Sequence, residues 1–188
     1  LMIPAFALER TQELLYELNE LVENNRIPMA PVFVDSPLAI KSLDIYKKYP
    51  EYYNKEATYL IRSGDDLFKF SGLTFTKTVE ESKHINNVPS PKVIIAGSGM
   101  STGGRILHHE IRYLPDPTNC LLIISYQVAG SLGRRILDGE KEVKIFKETI
   151  PVRARVEAIG AYSSHADQQG LYNWLARFRK LPKRIFVV

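Results

Sequence analysis

Two short turns rich in glycine and serine are the first features of this sequence that could do chemistry. One lies in SGMSTGG and the other in YQVAGSLG, and each stands between an apolar run and a helical pattern. Glycine lets the backbone approach an anion closely, and the first amides of a helix point outward toward it. Both turns are therefore candidate sites for RNA or phosphate. The candidate residues are Ser98, Gly99, Ser101, Gly103, Gly104, Gly130, Ser131, Arg134 and Arg135.

Two further polar turns carry side chains that could take part in catalysis. The segment VDSP contributes Asp35 and Ser36 as candidate cleft residues, and SSHAD contributes His165 and Asp167 as candidate catalytic residues. An imidazole beside a carboxylate is suited to positioned proton transfer. Structural roles are the alternatives. Asp35 could cap the following helix, Asp167 could be a first-turn acid favoured by the helix dipole, and His165 could belong to a helix end or the core.

Structural interpretations also remain open for the glycine-rich turns, the two arginines and the other histidines. A glycine-rich turn is often only a turn, and Arg134 and Arg135 could be solvated surface charges. His108 and His109 are adjacent on a predicted helix, so their side chains point in different directions. None of the four histidines has the paired spacing that brings zinc ligands together. The sequence therefore predicts no metal site within this chain.

The elements that must position these turns follow from the apolar periodicity. Strands that are apolar on both faces, each running into a helix, predict an α/β fold with a mainly parallel sheet covered by helices. Ligands bind such a sheet at the carboxyl ends of its strands, so the four polar turns should meet at one edge. The clearest predicted strands lie in PVFVD, KVIIAG and NCLLIIS, and the clearest predicted helices cover about 11–24, 79–85 and 105–113.

The pattern changes from about residue 141. The segments EVKIF and VRARVEAIG alternate polar and apolar residues, which predicts half-exposed antiparallel strands. SSHAD then begins a helix with an apolar face, and RIFVV is a predicted strand. We place the division between two units at residue 150, with domains at 1–150 and 151–188.

Composition excludes several classes of protein. Hydrophobic residues make up 45% and charged residues 24% of the 188-residue chain, as in ordinary globular domains. No stretch approaches the roughly 20 apolar residues of a membrane helix. The single cysteine, Cys120, excludes an internal disulfide framework and predicts a cytoplasmic location. The net charge of +4 permits an anionic partner. Both ends resemble interrupted strands, so we expect a fragment of a longer protein.

The polar segments together resemble the β-CASP branch of the metallo-β-lactamase fold, which includes the mRNA 3′-end cleavage nuclease and its bacterial and archaeal relatives. The matching segments, in family order, are IPAFALERTQELL, VDSPLA, AGSGMSTGGR, SYQVAGSLGRRILDG, SSHAD and KRIFVV. They extend over residues 3–188. This chain departs from the family pattern at Glu9 and Ser125, which replace usual glycines, and at Ser164, which replaces a smaller residue before His165.

The resemblance implies a β-CASP domain followed by a partial metallo-β-lactamase segment, in a parent enzyme that hydrolyses RNA phosphodiesters with two zinc ions. It gives His165 the role of a proton donor or transition-state contact, oriented by Asp167. The family's HxHxDH zinc motif is absent here, which places the zinc ligands in the missing metallo-β-lactamase domain of the same polypeptide. The isolated chain is then expected to bind no zinc and to cleave no RNA. The protein could also form a homodimer.

Two other functions remain as alternatives. A DNA-directed β-CASP nuclease would keep the architecture and change the polymer, although the two glycine-rich turns look closer to the RNA-processing branch. A non-catalytic subunit that binds RNA or scaffolds a partner is the second alternative, and the intact His165–Asp167 pair favours catalysis over it. The sequence does not separate endonuclease from exonuclease activity.

Overall fold

The computed structural model describes residues 1–160, 166–180 and 182–186, and its centre is a six-stranded sheet. The strands are β1 (Met2–Pro4), β2 (Val32–Asp35), β3 (Leu73–Phe75), β4 (Val93–Ala96), β5 (Cys120–Ile123), β6 (Glu142–Ile145), β7 (Glu148–Pro151) and β8 (Arg155–Ala158). The sheet has the order β3-β2-β4-β1-β5-β8, and every neighbouring pair is parallel. Strands β6 and β7 form a separate antiparallel hairpin.

Helices connect the parallel strands. They are α1 (Arg10–Glu23), α2 (Pro37–Lys48), α3 (Lys55–Arg62), α4 (Val79–His84), α5 (Ile106–Tyr113), α6 (Leu132–Leu137) and α7 (Gln168–Ala176), with short 3-10 turns at Pro50–Tyr52 and Ile85–Asn87. Local sequence sets several of their first residues. At α4, for example, Thr78 Oγ1 accepts from the Glu81 amide at 3.1 Å, and the Glu81 carboxylate accepts from the Thr78 amide at 2.9 Å. This reciprocal pair satisfies amides that the first helical turn leaves free.

Both faces of the sheet are buried, which confirms the predicted fold class. Alternate strand residues point to opposite faces, so Met2 and Ile94 join one core cluster while Ile3 and Ile95 join another. The first cluster includes residues of α5, α6 and the β6–β7 hairpin. The second includes residues of α1 and α2. Burial on both sides explains why these strands read as continuous apolar runs.

The prediction of an antiparallel strand in VRARVEAIG was wrong. Strand β8 pairs in parallel with β5, with Cys120 opposite Arg155 and Ile123 opposite Ala158. It is the edge strand of the sheet; three of its four residues are exposed and the fourth, Val156, is half-buried. An alternation of polar and apolar residues indicates that a strand is partly exposed. It does not indicate whether the strand pairs in parallel or antiparallel. The main sheet therefore continues past the division predicted at residue 150.

The helix predicted to begin at SSHAD is present as α7, and Asp167 stands at its N-terminal cap. The strand predicted in RIFVV is not formed over residues 182–186, while Leu181, Val187 and Val188 lie outside the described residues. At the other end of the chain, Glu9 precedes α1 with a φ of 65°, in the left-handed region that favours glycine. This is one of the positions at which the sequence departs from the β-CASP pattern.

Candidate functional site

Four side chains converge on a buried carboxylate, that of Asp35, at the carboxyl end of β2. Asp35 Oδ1 accepts hydrogen bonds from Thr76 Oγ1 at 2.6 Å and from Arg105 Nη1 at 2.7 Å. Asp35 Oδ2 accepts from Ser82 Oγ at 2.6 Å and lies 2.8 Å from His109 Nε2. We call these five residues the aspartate hub. It joins the end of β2, the segment after β3, α4 and α5 at one point.

The hub holds Asp35 ionised inside the protein. Burial by itself raises the pKa of Asp35, but hydrogen bonds from His109, Ser82, Thr76 and Arg105 outweigh it and lower the pKa to about 2. The side chain of Asp35 is fully buried. The structure therefore corrects the prediction of Asp35 as a cleft residue, because its carboxylate does not reach the surface.

Helix capping at this position falls to the next residue. Ser36 Oγ accepts from the Ala39 amide at 3.4 Å, at the first turn of α2. The sequence alternative in which Asp35 caps the helix is therefore wrong. Ser36 therefore caps α2, and none of its contacts with the described residues indicates a ligand site.

The turn at residues 98–104 is closed by its own backbone. The Ser98 amide donates to the Gly103 carbonyl at 3.0 Å, and the Thr102 amide donates to Ser98 Oγ at 2.9 Å. Gly104 has a φ of 76°, and a Cβ there would lie 2.3 Å from the Gly97 carbonyl oxygen. Only glycine fits this close approach without moving the backbone.

The side chains of this turn divide between the surface and the interior. Gly103 has open space around it, and Gly104 and Thr102 are exposed. Ser101 is 1% exposed and donates a short hydrogen bond to Glu110 on α5. The Ser101 hydroxyl therefore already has a partner inside the protein, and the contact of Ser101 with RNA or phosphate stays a prediction.

Glu110 is a second buried acid, and its surroundings shift its pKa in the opposite direction from that of Asp35. Burial raises the pKa of Glu110 to about 8, against the lowering effect of the Ser101 hydroxyl. Its Oε2 atom has no hydrogen-bond partner. The acid is therefore held neutral at pH 7. Glu110 lies beside Ile106 and Leu107 on the buried face of α5, and this apolar spacing in the sequence could have predicted its burial.

The turn at residues 125–133 lies directly against the turn at 98–104. Gln127 Nε2 donates to the Gly99 carbonyl at 2.9 Å, and the Gly133 amide donates to the Met100 carbonyl at 3.1 Å. Gly133 packs so closely that a Cβ there would fall 2.0 Å from Gln127 Oε1. The two turns thus form one surface, which we call the glycine wall. Gln127, absent from the predicted site residues, is the side chain that joins them.

The remaining predicted residues of the second turn have local partners. Gly130 is exposed with a φ of 83°, and Ser131 Oγ accepts from the Arg134 amide at 3.2 Å. Arg134 Nε donates to both Asp138 oxygens at 2.8 and 2.9 Å. Arg135 donates to the carboxylate of Glu140, with the shortest distance 2.6 Å. Both arginines are half-buried and paired within the chain.

Comparison with family models identifies the fold that carries this wall. The Beta-Casp domain model matches residues 11–136. The chain belongs to the β-CASP family of metallo-β-lactamase-fold ribonucleases. A second model, described as a Zn-dependent metallo-hydrolase RNA specificity domain, matches residues 149–188. The glycine wall and the aspartate hub both lie within the residues that the Beta-Casp model matches, and α7 lies within those that the second model matches.

Curated relatives agree with this assignment. The chain is 41% identical to "Ribonuclease TTHA0252" of Thermus thermophilus, with 93% of this chain and 40% of the relative covered. It is 31% identical to "Transcription termination factor FttA" of Methanosarcina mazei, with 98% and 30% covered. It is 32% identical to an "RNase J-like protein" of Methanocaldococcus jannaschii, with 97% and 40% covered. The chain thus spans less than half the length of these relatives.

The predicted catalytic pair is only partly visible in this β-CASP chain. Asp167 Oδ1 accepts from the Gly170 amide at 2.7 Å and so caps α7. His165 lies outside the described residues, and the contact by which Asp167 would orient it stays a prediction. The capping bond gives Asp167 a structural role as the N-cap of α7, one residue before the first turn in which the sequence alternative placed it.

The described residues do not form a site for the zinc that the second family model implies. Over 1–160, 166–180 and 182–186, no three His, Cys, Asp or Glu side chains are grouped so that they could hold a metal ion. Asp35 is saturated by four partners, and Glu110 is held neutral. Within the same ranges, no helix is both long and apolar enough to span a membrane.

Proposed function

We propose that this chain forms the RNA-contacting wall of a zinc-dependent ribonuclease that hydrolyses phosphodiester bonds in the cytoplasm. The observation that carries the proposal is the glycine wall, in which two turns remote in sequence are hydrogen-bonded together. The wall follows strands β4 and β5, so it stands at the carboxyl edge of a parallel sheet, where such folds bind their ligands.

The wall suits the backbone of a nucleic acid better than its base edges. Gly103, Gly104 and Gly130 leave main-chain groups accessible, and amides can donate to phosphate oxygens without reading sequence. Arg134 and Arg135 add positive charge beside the wall. Their present partners form exposed pairs of small net energy, so a phosphate could replace Asp138 or Glu140.

The zinc ions belong, in this proposal, to a metallo-β-lactamase domain of the same polypeptide. The exposed apolar face of α7 supports such a covering domain. Trp174 is 61% exposed and Phe178 is 45% exposed, and their rings meet edge to face at 5.1 Å. Large apolar side chains grouped on a surface are typical of an interface. Binding of zinc by that domain is the reason to expect none in the isolated chain.

His165 is the proposed proton donor of the reaction, and Asp167 is its positioning partner. In the full-length protein, His165→Ala should slow RNA cleavage by about a hundredfold or more, the scale of a lost proton-transfer group. RNA affinity and zinc content should stay unchanged. Asp167→Asn should give a smaller loss of the same kind. Loss of zinc would identify His165 as a ligand instead, and unchanged kinetics would remove it from the mechanism.

The phosphate contacts of the wall can be tested through their salt dependence. Replacing Arg134 and Arg135 with alanine should weaken RNA binding and reduce the salt slope by about one counterion for each lost phosphate contact. Arg155→Ala is the matched control, because Arg155 is likewise paired with an acid near the surface but lies at the start of β8, at the amino ends of the strands and away from the wall. An unchanged slope would leave both arginines as surface charges. Faster cleavage of DNA than of RNA would favour the DNA-directed alternative.

A further inference from the structure

A cavity of about 230 Å³ lies at the carboxyl ends of β5 and β8, next to the glycine wall. Its lining includes Ile123, Ser125, Tyr126, Gln127, Arg134 and Ile159. We name it the β5–β8 cavity. Gln127 belongs both to this lining and to the hydrogen bond that holds the wall together. The cavity is therefore continuous with the surface proposed to contact RNA.

The cavity combines an exposed aromatic ring with apolar walls. Tyr126 is 62% exposed, although it lies only two residues after Ile124, which is buried. Ile123, Leu137 and Ile159 supply apolar lining around it. A tyrosine in such a position presents a flat surface of the kind on which unpaired bases stack. Phosphate, by contrast, gains nothing from apolar walls.

Two polar atoms of the lining residues are without partners inside the protein. Ser125 Oγ and Gln127 Oε1 are buried and make no hydrogen bond. Buried polar groups are nearly always paired in folded proteins, so two orphans within one turn mark a part of the wall where the fold leaves hydrogen bonding incomplete. Nucleobases carry both donors and acceptors on their edges. The arginine in the lining adds a cationic rim suited to the adjoining phosphate.

From these contacts we infer that the β5–β8 cavity is a docking site for one unpaired nucleobase of the RNA, stacked on Tyr126. This inference rests on the proposed function, since it assigns a base to the same cleft. The volume lies below the roughly 300–1,000 Å³ of sites that enclose drug-sized ligands. It therefore suits a single base rather than an entire nucleotide. Tyr126 becomes a determinant of RNA affinity, distinct from the phosphate-contacting turns.

The test compares Tyr126→Ala with Tyr126→Phe in the full-length protein. Binding is measured by fluorescence anisotropy with a labelled phosphorothioate RNA oligonucleotide. The alanine variant should bind about tenfold more weakly, and the phenylalanine variant should bind like wild type because it keeps the ring. The salt slope should be the same in all three, because stacking releases no counterions. Tyr59→Ala is the matched control, since Tyr59 is 72% exposed but lies on α3, away from the cavity.

A scan with single abasic positions in the RNA shows whether the lost energy belongs to one base. One abasic position should weaken wild-type binding by about tenfold and should have no further effect on Tyr126→Ala. Equal binding by wild type and Tyr126→Ala overturns the inference and leaves the proposed function standing. Failure of the wild-type protein to bind RNA overturns both. A reduced salt slope in Tyr126→Ala would assign the residue to a phosphate contact and also overturn base stacking.

Discussion

The aspartate hub and the β5–β8 cavity lie at the same edge of one sheet, yet they treat polar groups in opposite ways. In the hub, each oxygen of Asp35 meets two polar side-chain atoms within 2.8 Å. At the cavity, Ser125 Oγ and Gln127 Oε1 have no partner, and Tyr126 faces solvent. One region is complete in itself, and the other has hydrogen-bonding capacity left over.

The difference separates a structural scaffold from the proposed binding surface. A fully satisfied buried network fixes its members in one arrangement, and Arg105 of the hub directly follows the 98–104 turn. Arg105 also donates to the Thr76 carbonyl at 3.1 Å and the Lys77 carbonyl at 3.0 Å. The hub thus anchors one end of the glycine wall, while the cavity at the other end exposes Tyr126 and leaves two buried polar atoms without partners.

The largest expected effect is the loss of the hub carboxylate. Asp35→Ala should lower the free energy of unfolding by about 3–5 kcal/mol, because it leaves Arg105 and three other groups without their buried partner. Asp138→Ala is the matched control; it breaks the exposed pair with Arg134 and should cost less than about 1 kcal/mol. Urea titration of both variants measures the difference, and equal costs would contradict the scaffold role.

The Asp35 carboxylate should also make the difference in stability between wild type and Asp35→Ala depend on pH. The pKa of Asp35 in the folded protein, about 2, lies below its ordinary 3.8. Ionised Asp35 therefore stabilises the fold at pH values above about 4, and this contribution is lost as the pH falls toward 2. The gap between wild type and Asp35→Ala should narrow over that range. A constant gap from pH 6 to pH 2 would show that the charge is not responsible.

Glu110, beneath the wall, should show the opposite pH dependence. Its pKa rises from 4.5 to about 8 on folding, so the unfolded chain releases the proton first and stability falls as the pH rises between these values. Glu110→Gln keeps an acceptor for Ser101 and cannot ionise. Its melting temperature should exceed that of wild type by several degrees at pH 8 and match it near pH 4. Parallel melting curves at both pH values would refute a buried neutral acid.

The smallest effect should come from deleting an unpartnered hydroxyl. Ser125→Ala should change the free energy of unfolding by less than about 0.5 kcal/mol, because Ser125 Oγ makes no hydrogen bond that could be lost. Thr76→Val removes a buried hydroxyl that donates to Asp35, and it should cost about 1–3 kcal/mol. Thermal unfolding of Ser125→Ala and Thr76→Val measures the loss of stability in each region. Similar losses in both would mean that Ser125 has a partner within the fold.

Much of the fold was predictable because it follows from local pattern. The apolar runs that became β2, β4 and β5 are buried on both faces, and their periodicity reports that burial directly. The order of the polar segments was enough to indicate the β-CASP family. The direction of β8 was not predictable from its own residues, because alternation in an edge strand is the same for parallel and antiparallel pairing.

The amino-acid sequence establishes which turns carry glycine, serine and charge, and that these turns follow strands. Packing between distant segments then establishes which of their side chains have partners inside the protein. Asp35 is buried by partners 41 to 74 residues away, and Ser101 turns inward to Glu110. Gln127 reaches a carbonyl 28 residues earlier in the chain, while Ser125 beside it finds no partner. A residue's type fixes what it can donate or accept, but its partners are set by distant segments that only the packed sheet brings together.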